Sequence, residues 1–233
     1  MEEDYSLQAM AKVRDYYRSR GDMVWGVQTD EPVIALSFDD GPAPVHTLQV
    51  LEVLAAYQAQ ATFFVVGERA KLYPEVLRKT LEQGHELANH TYTHLLFREE
   101  YLSASALEDE ILRTEEAIRA ATGQHPRLFR PPGGYCNMQA LRTLIDYNYK
   151  MILWSLPQDL GGWKKLGAAH IVDHVLHHAR NGDIVMLHDQ GEGADQTVEA
   201  LQHILPALAE RGFRFVTVSE LLGYRTMNAR SLS

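Results

Sequence analysis

The stretch Val-Ile-Ala-Leu-Ser-Phe-Asp-Asp-Gly-Pro, residues 33–42, places an apolar run directly before two adjacent carboxylates and a Gly-Pro turn. Residues 33–38 have the composition of a buried β-strand. Adjacent residues point to different sides of an extended chain, so Asp39 and Asp40 could divide the work, one binding a metal ion and the other handling a proton. Taken alone, the motif is explained equally well by a solvated Asp-Asp-Gly-Pro turn.

Outward from this stretch, short β-rich runs alternate with longer segments of helical period as far as residue 218. Such alternation predicts an α/β fold with a parallel sheet and right-handed crossovers. For a chain of 233 residues we expect a distorted (β/α) barrel with about seven parallel strands, and a doubly wound open sheet is the alternative. The predicted strands are residues 33–38, 61–66, 85–88, 127–130, 150–155, 184–187 and 213–218.

Helices are predicted most clearly over residues 106–122 and 197–211. Ser105 and Glu108 have the spacing of a capping box at the start of the first helix, and Gly123 follows its end. Residues 2–20 also carry helical spacing. We therefore expect an N-terminal helical extension over residues 1–30, one α/β domain over residues 31–225 and a tail over residues 226–233.

The charge balance narrows the classes of partner. The chain has 31 acidic and 22 basic residues, a formal net charge of -9, and so no general attraction to nucleic acid or anionic membranes. Its one cysteine cannot form an intramolecular disulfide. No apolar run is long enough for a membrane span, and the first residues lack the pattern of a signal peptide. We expect no nucleic-acid partner and no membrane span in this chain; its compartment and oligomeric state stay open.

Polar side chains follow several of the other predicted strands. In a barrel the carboxyl ends of the strands meet at one face, so these side chains should converge with Asp39 and Asp40. His90 and His94, at i and i+4, would share one face of a helical turn and reach one ion. One aspartate and two histidines leave coordination positions open, as a catalytic metal requires.

Two further strand ends carry candidate catalytic residues. Arg130 is placed to orient a carboxylate through paired hydrogen bonds. His188 ends an apolar strand and is a candidate acid or base. Another set of histidines shares a helical face away from any strand end and is predicted to be a solvated surface: His170, His174, His177 and His178.

Four motifs occur in order along the chain: Ser-Phe-Asp-Asp-Gly-Pro at 37–42, His-Thr-Tyr-Thr-His at 90–94, Arg-Pro-Pro-Gly-Gly at 130–134 and Leu-His-Asp at 187–189. With these motifs the sequence resembles the polysaccharide deacetylases of the NodB-homology type, carbohydrate esterase family four. The flanking stretches 61–67 and 212–218 resemble the family too.

The resemblance implies a catalytic role for each motif. Asp39 resembles the general base, Arg130 the residue that orients the base, and His188 the general acid. Leu187 resembles the residue that lines the pocket for the acetyl methyl group. The backbone N–H of Gly133 resembles the donor that stabilises the oxyanion.

The resemblance also implies a cofactor and a reaction. Asp40, His90 and His94 resemble the ligands of one divalent metal ion, usually Zn²⁺, although related enzymes accept Co²⁺ or other divalent ions. The implied reaction is hydrolysis of N-acetyl groups on a peptidoglycan-like or chitin-like glycan, with release of acetate. Two alternatives stay open: an amidase that acts on another small amide with the same scaffold, and a catalytically weak member that only binds glycan.

The sequence departs from the family pattern around the substrate. Pro157 stands where the family often has the first aspartate of Trp-x-x-Asp-x-x-Asp-Trp, and Asp159 is the nearest substitute for the residue that tunes the acid histidine. Gly133 stands where the family often has an aromatic residue after Arg-Pro-Pro. Tyr135 and Trp154 could stack on sugar rings, although packing explains them equally well.

Overall fold

The computed structural model describes residues 15–96, 103–135, 137–160 and 167–224. Residues 15–20 are helical, whereas residues 1–14 and the predicted tail lie outside the described residues. The strands are β1 Met23–Val24, β2 Val33–Asp39, β3 Ala61–Val65, β4 Glu86–Asn89, β5 Leu128–Phe129, β6 Lys150–Ile152, β7 Ile184–His188 and β8 Arg214–Phe215. The helices are α1 His46–Ala56, α2 Gly67–Leu72, α3 Pro74–Glu82, α4 Ala104–Thr122, α5 Met138–Asp146, α6 Ala168–His178, α7 Ala194–Glu210 and α8 Val218–Gly223. Within the described ranges, no helix combines the length and apolar character needed to cross a membrane.

The strands form one parallel sheet in the order β1-β6-β5-β4-β3-β2-β7, and β8 pairs with β2. From β2 to β6 each new strand is added on the same side of the last. A doubly wound sheet instead reverses direction part-way. The prediction of a distorted α/β barrel is therefore confirmed, and each predicted strand overlaps an observed one.

The two edges of the sheet meet through a few contacts rather than a full strand pair. Gly26, just after β1, forms an antiparallel bridge with Asp183. The Ser155 N–H donates to the carbonyl of Ile184 at 3.0 Å. Strand β1 was not predicted and lies in the segment assigned to the N-terminal extension, yet it pairs with β6.

Alternation along β2 decides which side chains can reach the site. Leu36 and Phe38 pack on the outside of the sheet against helices α1 and α7. Ala35 belongs to a second cluster, inside the curved sheet, with Phe64. Because side chains alternate between faces of a strand, Asp39 shares the inner face with Ala35.

Helix α4 starts two residues before the predicted start at residue 106. Its N-cap is Ser103, whose side chain accepts a hydrogen bond from the Ala106 N–H at 3.2 Å. The prediction for Ser105 is wrong because a capping residue must keep an extended backbone, as Ser103 does with φ -67° and ψ 151°. The predicted stop is confirmed: Gly123 has φ 75° and its N–H donates to the carbonyl of Arg119.

His85 is a buried neutral residue beneath the sheet. It is 4% exposed, and its Nδ1 accepts a hydrogen bond from the Ala61 N–H at 3.2 Å. Its ring lies edge-on to Phe63. Burial lowers the pKa of His85 to about 4, so the folded protein resists protonation of this ring.

We expect His85 to reduce stability on mild acidification. The unfolded pKa, near 6.5, lies above the folded value of about 4, so between them the unfolded state binds more protons and stability falls as pH falls. From pH 7.5 to pH 5 the loss assigned to His85 is about 2 kcal/mol. Denaturant unfolding of wild type and His85→Asn at both pH values measures it, since Asn can still accept from Ala61. An equal pH dependence in both proteins would contradict the assignment.

Candidate metal centre and active site

A buried ion pair joins Asp39 to Arg130. Arg130 is fully buried, and its Nη1 donates to Asp39 Oδ1 at 2.6 Å and to the hydroxyl of Ser37 at 2.9 Å. Its other nitrogens donate to the carbonyls of Ile152 at 3.2 Å and Leu153 at 3.0 Å. All three guanidinium nitrogens therefore donate hydrogen bonds, and the Asp39 carboxylate is held in one orientation.

Asp40, His90 and His94 converge in a group that could bind a metal ion. The Asp40 Oδ1 lies 3.4 Å from His90 Nε2 and 3.0 Å from His94 Nε2, and one ligand atom from each residue falls within 4.8 Å of the others. Ligands bound tetrahedrally to Zn²⁺ at 2.0–2.1 Å lie roughly 3.3 Å apart. The residues therefore fit a divalent ion in donor type and spacing.

The electrostatics of Asp40 suit a metal ligand. Burial alone would raise its pKa, but hydrogen bonds from His90 and His94 hold that pKa far below its ordinary value. Asp40 therefore stays ionised. Its backbone is left-handed, with φ 73°, and such conformations of non-glycine residues cluster at functional sites.

His90 is oriented by a backbone contact. The side chain is buried, and its Nδ1 lies 2.7 Å from the carbonyl oxygen of Arg130. A proton on Nδ1 donates to that carbonyl and leaves Nε2, on the side of Asp40, free to bind a metal. Such outer contacts fix the tautomer of a metal-binding histidine.

The two histidines converge, but the predicted helical turn between them is wrong. Residues 90–96 contain no helix, and Thr91 and His94 have left-handed backbones with φ 67° and 61°. The loop takes this path because its peptide groups form hydrogen bonds with residues outside the loop. The Thr91 N–H donates to Asn89 Oδ1 at 3.0 Å, and the Thr91 carbonyl accepts from the Gly67 N–H at 2.9 Å.

His188 lies beside Asp39. Strand pairing sets it opposite Asp39, and it is 7% exposed. Burial lowers the pKa of His188 to about 4, although the carboxylates of Asp39 and Asp40 oppose that shift. The resting imidazole is therefore neutral at pH 7.

The strand register turns Leu187, the predicted lining of the acetyl-methyl pocket, away from the side of Asp39 and His188. Leu187 is 1% exposed and packs with Phe38 in the cluster between the sheet and its helices. Met186 and His188 share the opposite face of β7, because side chains alternate along a strand, and Met186 is partly exposed. Met186 is therefore the β7 residue on the side of the site.

Two glycines bring the backbone of the Arg-Pro-Pro-Gly-Gly motif against aromatic rings. Gly133 and Gly134 have φ 66° and 72°. A Cβ on Gly133 would lie 3.0 Å from the ring of Tyr135, and one on Gly134 would lie 2.7 Å from Trp154. Tyr135 is 40% exposed, so its ring occupies the space beside Gly133 and still faces solvent.

Asp159 lies near the histidine-rich face of α6. Asp159 is exposed, after the 3-10 turn Leu156–Gln158. Burial lowers the pKa of His174, and the carboxylate of Asp159 opposes this shift. The carboxylates of Asp39 and Asp40 raise the pKa of His188, and the tuning of His188 by Asp159 stays a prediction. His170 and His177 are exposed, whereas His174 and His178 are partly buried.

A buried carboxyl absent from the predicted site lies behind Asp39 and Asp40. Asp189 is fully buried; Thr47 donates to its Oδ2 at 2.5 Å and accepts from the Ala43 N–H at 2.7 Å. A Cβ on Gly41 would lie 2.5 Å from either oxygen of Asp189, so only glycine fits there. Burial raises the pKa of Asp189 to about 7. The motif Leu-His-Asp contains this residue, but its sequence gives no sign that the carboxyl turns inward.

Comparison with known proteins agrees with the geometry. The profile of the family described as Polysaccharide deacetylase matches residues 26–152. The chain is 45% identical to a peptidoglycan-N-acetylglucosamine deacetylase of Bacillus cereus, over 88% of this chain and 95% of that protein. It is 40% identical to a chitooligosaccharide deacetylase of Sinorhizobium fredii, over 79% and 89%. A crystal structure of the Bc1960 peptidoglycan N-acetylglucosamine deacetylase superposes with a TM-score of 0.82 and 28% identity, covering 88% of this chain and 94% of that one.

We expect both histidines of the group to be needed for metal binding. His90→Ala and His94→Ala should each lower zinc affinity by more than roughly tenfold, because even outer contacts to a metal ligand are worth 10- to 100-fold. Competition with a chromogenic chelator measures the affinity. His177→Ala, an exposed histidine on α6, is the matched control and should leave it unchanged. A variant that keeps wild-type affinity would remove its histidine from the ligand set.

Proposed function

The chain belongs to the polysaccharide deacetylase family, and we propose that it hydrolyses N-acetyl groups on a peptidoglycan-like or chitin-like glycan with the help of one divalent metal ion. Zn²⁺ is the proposed ion, since one carboxylate and two imidazoles suit it. The relatives named above are deacetylases of these two glycan classes. The chain itself is a deacetylase of carbohydrate esterase family four.

One observation carries the proposal: the pair Asp39–Arg130 lies beside the metal-binding group without belonging to it. Asp39 Oδ2 is 3.9 Å from His90 Nε2, whereas its Oδ1 is engaged by Arg130 at 2.6 Å. A protein that only held a metal ion would need no second carboxylate fixed in this way. A base beside a Lewis-acid site is the arrangement that amide hydrolysis requires.

The residues then divide the reaction. When bound, the metal ion lowers the pKa of water and polarises the acetyl carbonyl. Asp39 takes a proton from the attacking water, with Arg130 holding the carboxylate in place. The N–H of Gly133 donates to the oxyanion of the tetrahedral intermediate. The C–N bond breaks as His188 protonates the amine, which leaves acetate and a free amino sugar.

His188 is neutral in the resting protein, so the proton that it donates to the leaving amine must first reach it from another group. With a pKa of about 4, the imidazole must gain a proton within the complex before it can donate one to the amine. The attacking water releases one proton to Asp39, and the leaving nitrogen needs one. Transfer from Asp39 to His188, opposite it on the neighbouring strand, balances the reaction without a proton from solvent.

Substrate contacts are proposed on the exposed apolar side chains next to the site. Tyr135 and Leu96 are 40% and 44% exposed, and both lie against Gly133. Aromatic rings of this kind stack on the apolar faces of sugars. Trp154, against Gly134, would extend this surface, and Met186 replaces Leu187 as the proposed contact for the acetyl methyl group.

Acetate release tests the proposal directly. Chelator-stripped protein, with or without added Zn²⁺ or Co²⁺, is incubated with N-acetylglucosamine oligomers and with peptidoglycan. We expect release that requires the metal, because the metal ion must activate the water. Metal binding without acetate from either glycan would favour an amidase of another substrate or a glycan-binding protein.

Asp39→Asn should separate metal binding from turnover. An amide cannot take the proton, so we expect acetate release to fall by roughly 10²- to 10⁴-fold. Zinc affinity should change little, because Asp39 is not among the three ligands. Asp40→Asn is the contrasting variant and should weaken zinc binding. Near-normal turnover of Asp39→Asn would remove Asp39 as the base.

A further inference from the structure

A carboxylate from helix α4 holds the loop between the two histidine ligands. Glu110 Oε2 accepts hydrogen bonds from the N–H groups of Tyr92 and Thr93, both at 2.8 Å. Its Oε1 accepts from the hydroxyl of Thr93 at 2.9 Å. Glu110 is 6% exposed, and glutamate is almost never buried to this extent unless it is paired.

These hydrogen bonds offset the free-energy cost of burying the loop N–H groups and the cost of burying the Glu110 carboxylate. The bend at Thr91 turns two successive N–H groups away from regular secondary structure, and an unpaired buried N–H costs about 1–3 kcal/mol. The carboxylate loses its water on burial, and hydrogen bonds to an ionised acceptor are about twice as strong as neutral ones. The loop and Glu110 therefore stabilise one conformation of each other.

The two ligands do not depend equally on this contact. His90 follows β4 directly, is buried, and is held through Nδ1 by the Arg130 carbonyl. The side chain of His94 is 41% exposed, and its backbone follows Thr93, the residue that Glu110 binds twice. Loss of Glu110 would thus release His94 and leave His90 in place.

We propose that Glu110 is a positioning residue that fixes His94 for metal binding. The proposal rests on the metal site proposed above. Glu110 touches neither the metal-binding atoms nor the base, so it acts only through the loop. It differs from Asp39 in this respect, because Asp39 is assigned to the reaction itself.

A double-mutant cycle separates this role from a general contribution to folding. Zinc affinity is measured by chelator competition for wild type, Glu110→Ala, His94→Ala and the double variant, with melting temperatures in parallel. We expect Glu110→Ala to weaken zinc binding about 10- to 100-fold in the wild-type background and to have almost no further effect when His94 is absent. Effects that add, or an unchanged affinity in Glu110→Ala, would overturn the proposal.

Two further variants keep the test decisive if Glu110→Ala does not fold. Thr93→Val removes only the hydroxyl bond to Glu110 and should weaken zinc binding by a smaller factor that also disappears with His94→Ala. Arg113→Ala removes a different contact between α4 and the loop, in which the guanidinium lies 3.8 Å from the centre of the Tyr92 ring. If Arg113→Ala weakens zinc binding as much as Glu110→Ala, simple docking of the loop explains both and the proposal fails.

Zinc affinity also separates the role of Glu110 from the proposed deacetylase activity. Zinc affinity is measured without glycan, so a chain that binds zinc but releases no acetate would fail only as a deacetylase. A wild-type chain that binds neither zinc nor cobalt would overturn both the metal site and the role of Glu110. Normal zinc binding that Glu110 does not affect would overturn this inference alone.

Discussion

The guanidinium of Arg130 sits inside the curved sheet with no exposed surface. A cation in that position is tolerated only if its hydrogen bonds are satisfied, and removing a partner of a buried pair costs about 3–5 kcal/mol. Its contacts are Asp39 and Ser37 on β2, two carbonyls at the end of β6 and the ring of Phe64, 3.9 Å away. The Arg130 side chain thereby fixes the ends of β2, β5 and β6 relative to one another. Asp39, its neighbour Asp40 and the carbonyl that orients His90 all depend on that arrangement.

The sequence predicts the architecture because its information is local and periodic. Residues 33–38 and the other apolar runs have the composition of strands, and their alternation with helices selects a parallel sheet. What it misses depends on contacts distant in the chain. Strand β1 is two residues long and is defined by its pairing with β6. The choice of Ser103 over Ser105 as the cap depends on where the backbone leaves the extended conformation, which two similar serines do not reveal.

The site also divides into features that the local sequence predicts and features that depend on contacts distant in the chain. Convergence of Asp39, Asp40 and His188 follows from their places at the ends of parallel strands. Spacing alone gives the wrong conformation for the loop after β4, because the left-handed bend at Thr91 is selected by partners on other elements. It also cannot say which residue of β7 faces the site, since a register error of one exchanges Leu187 for Met186. Glu110 belongs to no motif, and Asp189 belongs to Leu-His-Asp without any sign that its carboxyl turns inward. Only the folded chain brings these two side chains to the loops that they contact.

Charge explains why these carboxyl groups can share so small a region. Arg130 neutralises Asp39 by direct contact, so that pair adds no net charge to the site. Asp189 has a pKa of about 7 because it is buried, and below neutrality its proton is retained in the fold. Among the described residues of the site, Asp40 is then the carboxylate whose charge is available to the proposed metal ion, and a divalent ion bound there would leave a net positive charge. A developing oxyanion is stabilised by a positive centre beside it, whereas an ionised Asp189 would oppose this stabilisation. The burial of Asp189 behind Gly41 therefore serves the electrostatics of the site as well as its shape.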